Sequence, residues 1–352
     1  MVRPKSRPVL RILSILVLGA GLCVLVLSSA RAEERAPPRF GLPVACNVGR
    51  DCFIQNYVDH DPGAGRRDYG CGRLSYDGHK GTDLRLPDYP AMEAGVAVLA
   101  AADGVVRAVR DGMEDVNIRG IGRETLGGRD AGNSVVVVHG DGWETQYAHM
   151  KRGSIAVKPG EPVRAGQTLG LIGLSGNTEF PHLHFEVRHD GKTVDPFLGP
   201  DGVPSCDQPA GMASGSMGPG GSMWRDPAAV PYIATALLSA GFAFEKPDAE
   251  RARQGAYRAD AIPAEAPALI VWADAMGMMA GDRIRFRMDA PDGRTLFEHE
   301  STQAKSMVSQ FSFAGLRRPA DGWPKGGDIR ATVTLVRDGQ PLSQAERRLP
   351  SR

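Results

Sequence analysis

Between residues 91 and 196 the apolar side chains come in short runs, at 96–102, 104–109, 134–139, 144–148, 168–173 and 182–188, each stopped by glycine or proline. No stretch sustains an apolar repeat at the helical period, so the pattern predicts strands and an all-β domain. Its turns are marked by Asp103-Gly104, Gly140-Asp141-Gly142, Lys158-Pro159-Gly160 and Asp190-Gly191, residues that supply a positive or a fixed φ. One connection is long: residues 111–133, rich in Gly, Arg and Asp, lie between two runs and read either as one wall of a groove or as a solvated insertion.

From 204 to 229 the composition shifts to Gly, Ser, Met and Pro, which predicts a flexible linker. Further β-type runs follow at 268–272, 283–288, 308–313 and 329–336, with turns at Pro291-Asp292-Gly293 and Asp338-Gly339. Arg283-Ile284-Arg285-Phe286-Arg287-Met288 alternates as a half-buried antiparallel strand does, and a small immunoglobulin-like β-sandwich is the expected architecture. Residues 248–259, with Arg251, Arg253 and Arg258, read as a short helix or an exposed connection.

The N-terminus has the layout of an export signal: a basic stretch through Arg11, an uncharged apolar run from Ile12 to about Leu27, then Ala30-Arg31-Ala32 as a cleavage site. An uncleaved membrane anchor is the alternative, because residues 12–30 are 19 uncharged positions and a spanning helix needs roughly 20. Bulky Leu22 before Cys23 argues against lipid attachment there. Either way the body of the protein is exported, to the periplasm or cell envelope. The expected divisions are the signal or anchor at 1–32, a cysteine-bearing extension at 33–75, the all-β domain at 76–203, the linker at 204–229 and the sandwich at 230–352.

Charge and cysteines fit that compartment. The formal net charge is +1, but residues 1–32 hold five bases and no acid, so the remainder carries 37 bases against 41 acids. A mildly acidic body lacks the basic surface that a polyanion demands, which argues against nucleic acid as a partner. Cys46, Cys52, Cys71 and Cys206 form an even set suited to an oxidising environment and contain no C-x-x-C pair of the kind that binds structural zinc. The pairing favoured here is Cys52 with Cys71, upstream of the site, and Cys46 with Cys206, tying the ends of the first domain.

Candidate chemistry lies in three segments that collect four of the eight histidines: Gly78-His79-Lys80-Gly81-Thr82-Asp83, Gln146-Tyr147-Ala148-His149 and Pro181-His182-Leu183-His184-Phe185-Glu186. The strand period places His182 and His184 on one face. Gly81 and Pro87 oppose a helix, so His79 and Asp83 converge through a turned or extended segment. Three protein ligands such as His79, Asp83 and His184 would leave zinc an open position for water, as catalytic sites do. Spacing alone does not separate metal ligands from acid–base groups, because neutral imidazole serves both purposes.

His79-x-x-x-Asp83, Tyr147-x-His149 and His182-Leu183-His184, in that order, resemble the lysostaphin-type, LytM-like zinc murein endopeptidases over about residues 76–197. The glycines of 157–173 resemble the family's turns as well. The resemblance implies a compact antiparallel fold of the duplicated-hybrid-motif kind, one zinc on His79, Asp83 and His184, and assistance from His149 and His182 in activating water and stabilising the oxyanion. The implied substrate is peptidoglycan, cut at peptide bonds of its stem peptides or cross-links. A non-catalytic LytM-like regulator of another wall hydrolase is the alternative; all five polar positions being intact favours catalysis. Asn177-Thr178-Glu179-Phe180-Pro181 departs from the family's Gly-rich approach and Met150 stands where Leu is common, which bears on substrate preference more than on activity.

Other positions carry weaker expectations. Tyr147 either packs or takes part, and Glu186 is either behind the metal or structural. His60, His139, His189 and His299 read as surface or satisfied histidines. Residues 40–77 form either a plug for the groove or a structural extension. The C-terminal sandwich shows no catalytic constellation and is a candidate surface for an envelope protein partner.

Overall fold

The computed structural model describes residues 1–2, 36–206 and 221–351. The rest of the export segment, with Cys23, and the middle of the linker lie outside them. Among the described residues, ten strands precede the linker: β1 (Phe53–Asn56), β2 (Thr82–Arg85), β3 (Ala97–Leu99), β4 (Gly104–Arg110), β5 (Asn133–Gly140), β6 (Trp143–Met150), β7 (Pro162–Val163), β8 (Thr168–Leu171), β9 (His182–His189) and β10 (Lys192–Val194). Seven follow it: β11 (Ala236–Ala243), β12 (Ala268–Met278), β13 (Arg283–Asp289), β14 (Thr295–Thr302), β15 (Met307–Arg317), β16 (Gly327–Arg337) and β17 (Gln340–Ser351). Helices are short, as in Tyr89–Ala94 and Ala249–Arg253, so the chain is mainly antiparallel β, as the alternation predicts.

The first sheet runs β1-β2-β9-β6-β5-β4-β7, with β10 on β9 and a separate β3–β8 ribbon. Alternation divides its faces. Leu84, Leu183, Phe185, Val135, Val137 and Tyr147 turn to one apolar cluster, closed by Phe40, Tyr57 and Trp224. On the opposite face Asp83 is directly across from His184, and His184 from Ala148, so register alone sets carboxylate and imidazole side by side.

Residues 36–75 and the end of the linker, from 221, are less separate from the first domain than composition suggests. Phe53–Asn56 is a strand of the sheet, paired to β2, which favours the structural reading of residues 40–77. Met223 and Trp224, near the linker's end, are buried in the first core, and Phe40 exchanges backbone hydrogen bonds with Met223 and Arg225. Aromatic area is worth more buried than a loose tether saves in entropy.

The disulfides correct the expected pairing: Cys46 joins Cys52, and Cys71 joins Cys206. The stretch 46–52 folds into a tight turn, with Gly49 at φ 91° donating to the Cys52 carbonyl. That brings Cys46 and Cys52 to a Cα separation of 6.1 Å, within bridging range. Cys71, at φ 59° in the turn after Asp68, meets Cys206 at 5.6 Å and ties the domain's end to its beginning, the task assigned above to Cys46.

After the linker, sheet β11-β12-β15 faces sheet β14-β13-β16-β17 across a shared apolar cluster that includes Phe242, Val271, Phe286, Val333 and Leu335, the layout of a sandwich. Residues 249–253 form the short helix, capped by Asp248, whose carboxylate accepts from the Arg251 amide. The two halves meet at Arg85, which pairs with Asp274 of β12, and at Tyr89, whose hydroxyl donates to Glu250.

Candidate metal centre

His79 sits in the turn before β2, where its backbone accepts from the Asp59 amide. Its Nδ1 donates to the Tyr57 carbonyl at 2.7 Å, an oxygen that can only accept, so the Nε2 lone pair faces inward. There Nε2 lies 3.2 Å from Asp83 Oδ1 and 3.2 Å from His184 Nδ1, and His184 Nδ1 lies 2.9 Å from the same carboxylate oxygen. Asp83 and His79 are buried and His184 is partly exposed, which leaves one side of the trio open.

The donor set fits a divalent cation. Three atoms that each present a lone pair in the tautomers a metal requires converge, whereas a protein-only hydrogen bond needs a proton between each pair. Tetrahedral zinc ligands 2.0–2.1 Å from the ion stand roughly 3.3 Å from one another, close to these spacings. Burial disfavours charge on both partners, yet their mutual attraction prevails: Asp83 is held well below the usual carboxylate range by His79 and His182, and His79 is raised by Asp83. An ionised carboxylate is the form that ligates metal.

His149 and His182 stand next to the trio. Strand alternation would turn His149 away, since its neighbour Ala148 faces His184. A left-handed backbone at His149, φ 60°, and a register shift between β5 and β6 swing the ring back, to centroid distances of 4.6 Å from His182 and 6.0 Å from His184. His149 Nδ1 donates to the Ser175 carbonyl at 2.8 Å, leaving the Nε2 lone pair available. Burial, then the neighbouring His182 and His184, depress its pKa well below the ordinary histidine value, so the ring is neutral at neutral pH. His182 Nε2 lies 3.5 Å from Asp83 Oδ1, and its Nδ1 is 3.0 Å from both the Thr178 hydroxyl and the Phe180 carbonyl.

All five expected site residues therefore come together. Tyr147 does not join them: it is fully buried and its hydroxyl accepts from the Ala101 amide. Glu186 is committed to Arg188 at 2.8 Å rather than to His184. Asn56 was not anticipated. Its Nδ2 donates to Asp83 Oδ2 at 2.9 Å, orienting the carboxylate so that Oδ1 points at the imidazoles. No motif flags it, because it reaches the site only through the β1–β2 pairing. The long connection 111–133 lines the cleft with Ile118, Arg123, Asp130 and Ala131, the groove-wall alternative for that segment.

Residues 77–196 match peptidase family M23. They form an M23 peptidase domain. Among similar proteins, the peptidoglycan DD-endopeptidase ShyA of Vibrio cholerae is 34% identical over 117 residues, covering 33% of this chain and 22% of ShyA. The DD-carboxypeptidase/endopeptidase Mpg of Neisseria meningitidis is 35% identical over 120 residues, covering 34% and 22%. The chain thus spans 22% of the length of these relatives. Among solved structures, the catalytic domain of the prophage-encoded M23 protein EnpA from Enterococcus faecalis matches at 25% identity over 43% of this chain and 94% of its own, with a TM-score of 0.30.

Proposed function

We propose that the protein is an exported zinc-dependent endopeptidase that hydrolyses peptide bonds of peptidoglycan stem peptides or cross-links. One observation carries the reading: the lone pairs of His79 Nε2, Asp83 Oδ1 and His184 Nδ1 converge beside a neutral histidine whose proton-accepting nitrogen is free. In this reading His79, Asp83 and His184 hold one zinc ion. When bound, zinc acidifies a coordinated water and polarises a carbonyl. The relatives' DD-endopeptidase names favour a bond between D-configured residues as the target.

The chain's own residues supply the rest. His149, neutral and fixed through Nδ1, accepts the proton of the attacking water at Nε2. His182 Nδ1 lies 3.0 Å from the Phe180 carbonyl and from the Thr178 hydroxyl, which itself donates to that carbonyl, so Nδ1 holds a proton and Nε2 donates into the cleft only when the ring takes up a second one. In that form it suits a group that donates to the developing oxyanion and then to the leaving amine. Asn56 keeps Asp83 turned toward the imidazoles.

The test is digestion of purified sacculi with added zinc, with chelator, and by the His184→Ala variant. Release of peptide-cleaved muropeptides is expected only in the first case. Intact sacculi with one zinc bound per chain would instead favour the regulator reading.

A further inference from the structure

The cleft extends to both sides of the metal centre, and its two sides differ. On one side a space of about 560 Å³ touches His79 and His184 and is bordered by Lys80, Arg123, Gln146 and Glu186. On the other a chamber of about 290 Å³ touches Asp83, His149 and His182 and is bordered by Arg66, Tyr76, Asn177, Phe180 and Val308. Val308 belongs to β15, so the C-terminal half supplies part of this chamber's wall.

Charge in the chamber is unbalanced. Asp83 faces the imidazoles, and Glu179 is held by Arg119 at 2.6 Å. Arg85 and Arg253, behind Phe180, share Asp274, and Arg337, in an adjoining cavity, pairs with Asp282. Arg66 has no ion pair or side-chain hydrogen bond among the described residues, yet it is half-buried on the loop 61–67 and lines the chamber. On the opposite side Arg123 is paired with Asp130, and Lys80 is exposed, where water solvates a lone ammonium without cost. A half-buried guanidinium without a partner, in a chamber that apolar Phe180 and Val308 also line, is the arrangement that receives a carboxylate through parallel N–H donors.

We propose that the chamber is a substrate subsite for a peptide segment carrying a free carboxylate close to the scissile bond, and that Arg66 pairs with that carboxylate. The proposal rests on the peptidase reading above and adds a preference: free-acid stem peptides over their amidated forms. Arg66 is a specificity residue here. It leaves the reacting atoms to the histidines.

The experiment titrates two probes into the zinc-loaded full chain carrying His149→Ala, which limits turnover: a cross-linked stem peptide dimer with free α-carboxylates, and the same dimer amidated. The free acid is expected to bind about tenfold to a hundredfold more tightly, the range of a charge-assisted hydrogen bond. Arg66→Gln should bring the two affinities together, and Arg66→Lys should keep part of the difference. Equal binding of both dimers, binding of neither at millimolar concentration, or an unchanged preference in Arg66→Gln would overturn the proposal. Hydrolysis of both dimers by the unaltered protein is read separately. Selective binding without cleavage would sink the peptidase reading and leave the subsite standing; cleavage without preference would do the reverse.

Discussion

Two buried ionic clusters sit two residues apart on the same strand. Asp83 and Arg85 are both in β2, on the same face, across from His184 and His182. Around Arg85 the fold closes its own charges: Nη2 meets Asp274 Oδ2 at 3.1 Å, Arg253 grips both oxygens of Asp274 at 2.8 Å, Gln55 accepts from Nη1, and the guanidinium lies 4.5 Å from the Phe180 ring. Burial pulls the pKa of Arg85 down to about 10, still a cation at neutral pH. Among the described residues no Lys or Arg pairs with Asp83, whose partners are imidazoles and the Asn56 amide. The difference separates a brace from a ligand set. Where donors and acceptors alternate, the cluster holds the two halves of the chain together; where acceptors face one another, as in the proposed ligand set, the arrangement suits a cation the side chains do not provide.

Breaking the brace should have the largest effect on stability. Asp274→Ala leaves Arg85 buried and unpaired, and removing one partner of a buried pair costs about 3–5 kcal/mol. Urea unfolding would show the lowered midpoint. Adding Arg85→Met should restore much of the loss, because the unpaired charge is what costs, and coupled neighbours are not additive. Simple addition of the two single-variant losses would show that Arg85 and Asp274 are not energetically joined.

What was legible in the chain follows the same physics. Strands with apolar alternation, such as 283–288 within β13 and 182–188 within β9, announce themselves because burial of one face writes period two into the sequence. β14 and most of β17 are largely exposed, and an exposed strand writes no such pattern. The His and Asp positions stood out because the metal chemistry proposed for them restricts the residue types. Their supports were not: Asn56 acts through strand pairing, His149 through a bulge, and Arg85 meets Asp274 across 189 positions. The cysteines show the limit most plainly, since four of them allow three pairings and only the turn at 46–52 selects one.

The ligand set can be sharpened without touching a ligand. Asn56→Ala removes the donor to Asp83 Oδ2 and frees the carboxylate to rotate. Losing an outer partner of this kind typically weakens metal binding by about 10–100-fold, and zinc competition against a chelator of known affinity would read it. Stability should change less than for Asp274→Ala. Unchanged zinc affinity would mean that strand register alone orients Asp83.

His139 belongs to neither cluster and tests whether burial without an ionic partner has its own signature. Its Nδ1 donates to the Asp103 carbonyl at 2.7 Å, and Nε2 meets the Thr145 hydroxyl at 2.9 Å. Burial lowers its pKa below the ordinary value, with the Asp103 carbonyl and charge opposing weakly. The folded protein therefore prefers the neutral ring. As pH falls below about 6.5 the unfolded chain takes up the proton first, so stability declines from there down to the folded pKa and then levels. One proton sets a slope of at most about 1.4 kcal/mol per pH unit. His79 shifts in the opposite direction and His149 in the same one, so the comparison is between wild type and His139→Gln, both saturated with zinc. The variant should lose less stability between neutral pH and pH 5 than wild type does, the smallest of these effects. Parallel pH profiles would mean that His139 remains solvated enough to titrate as it does in the unfolded chain.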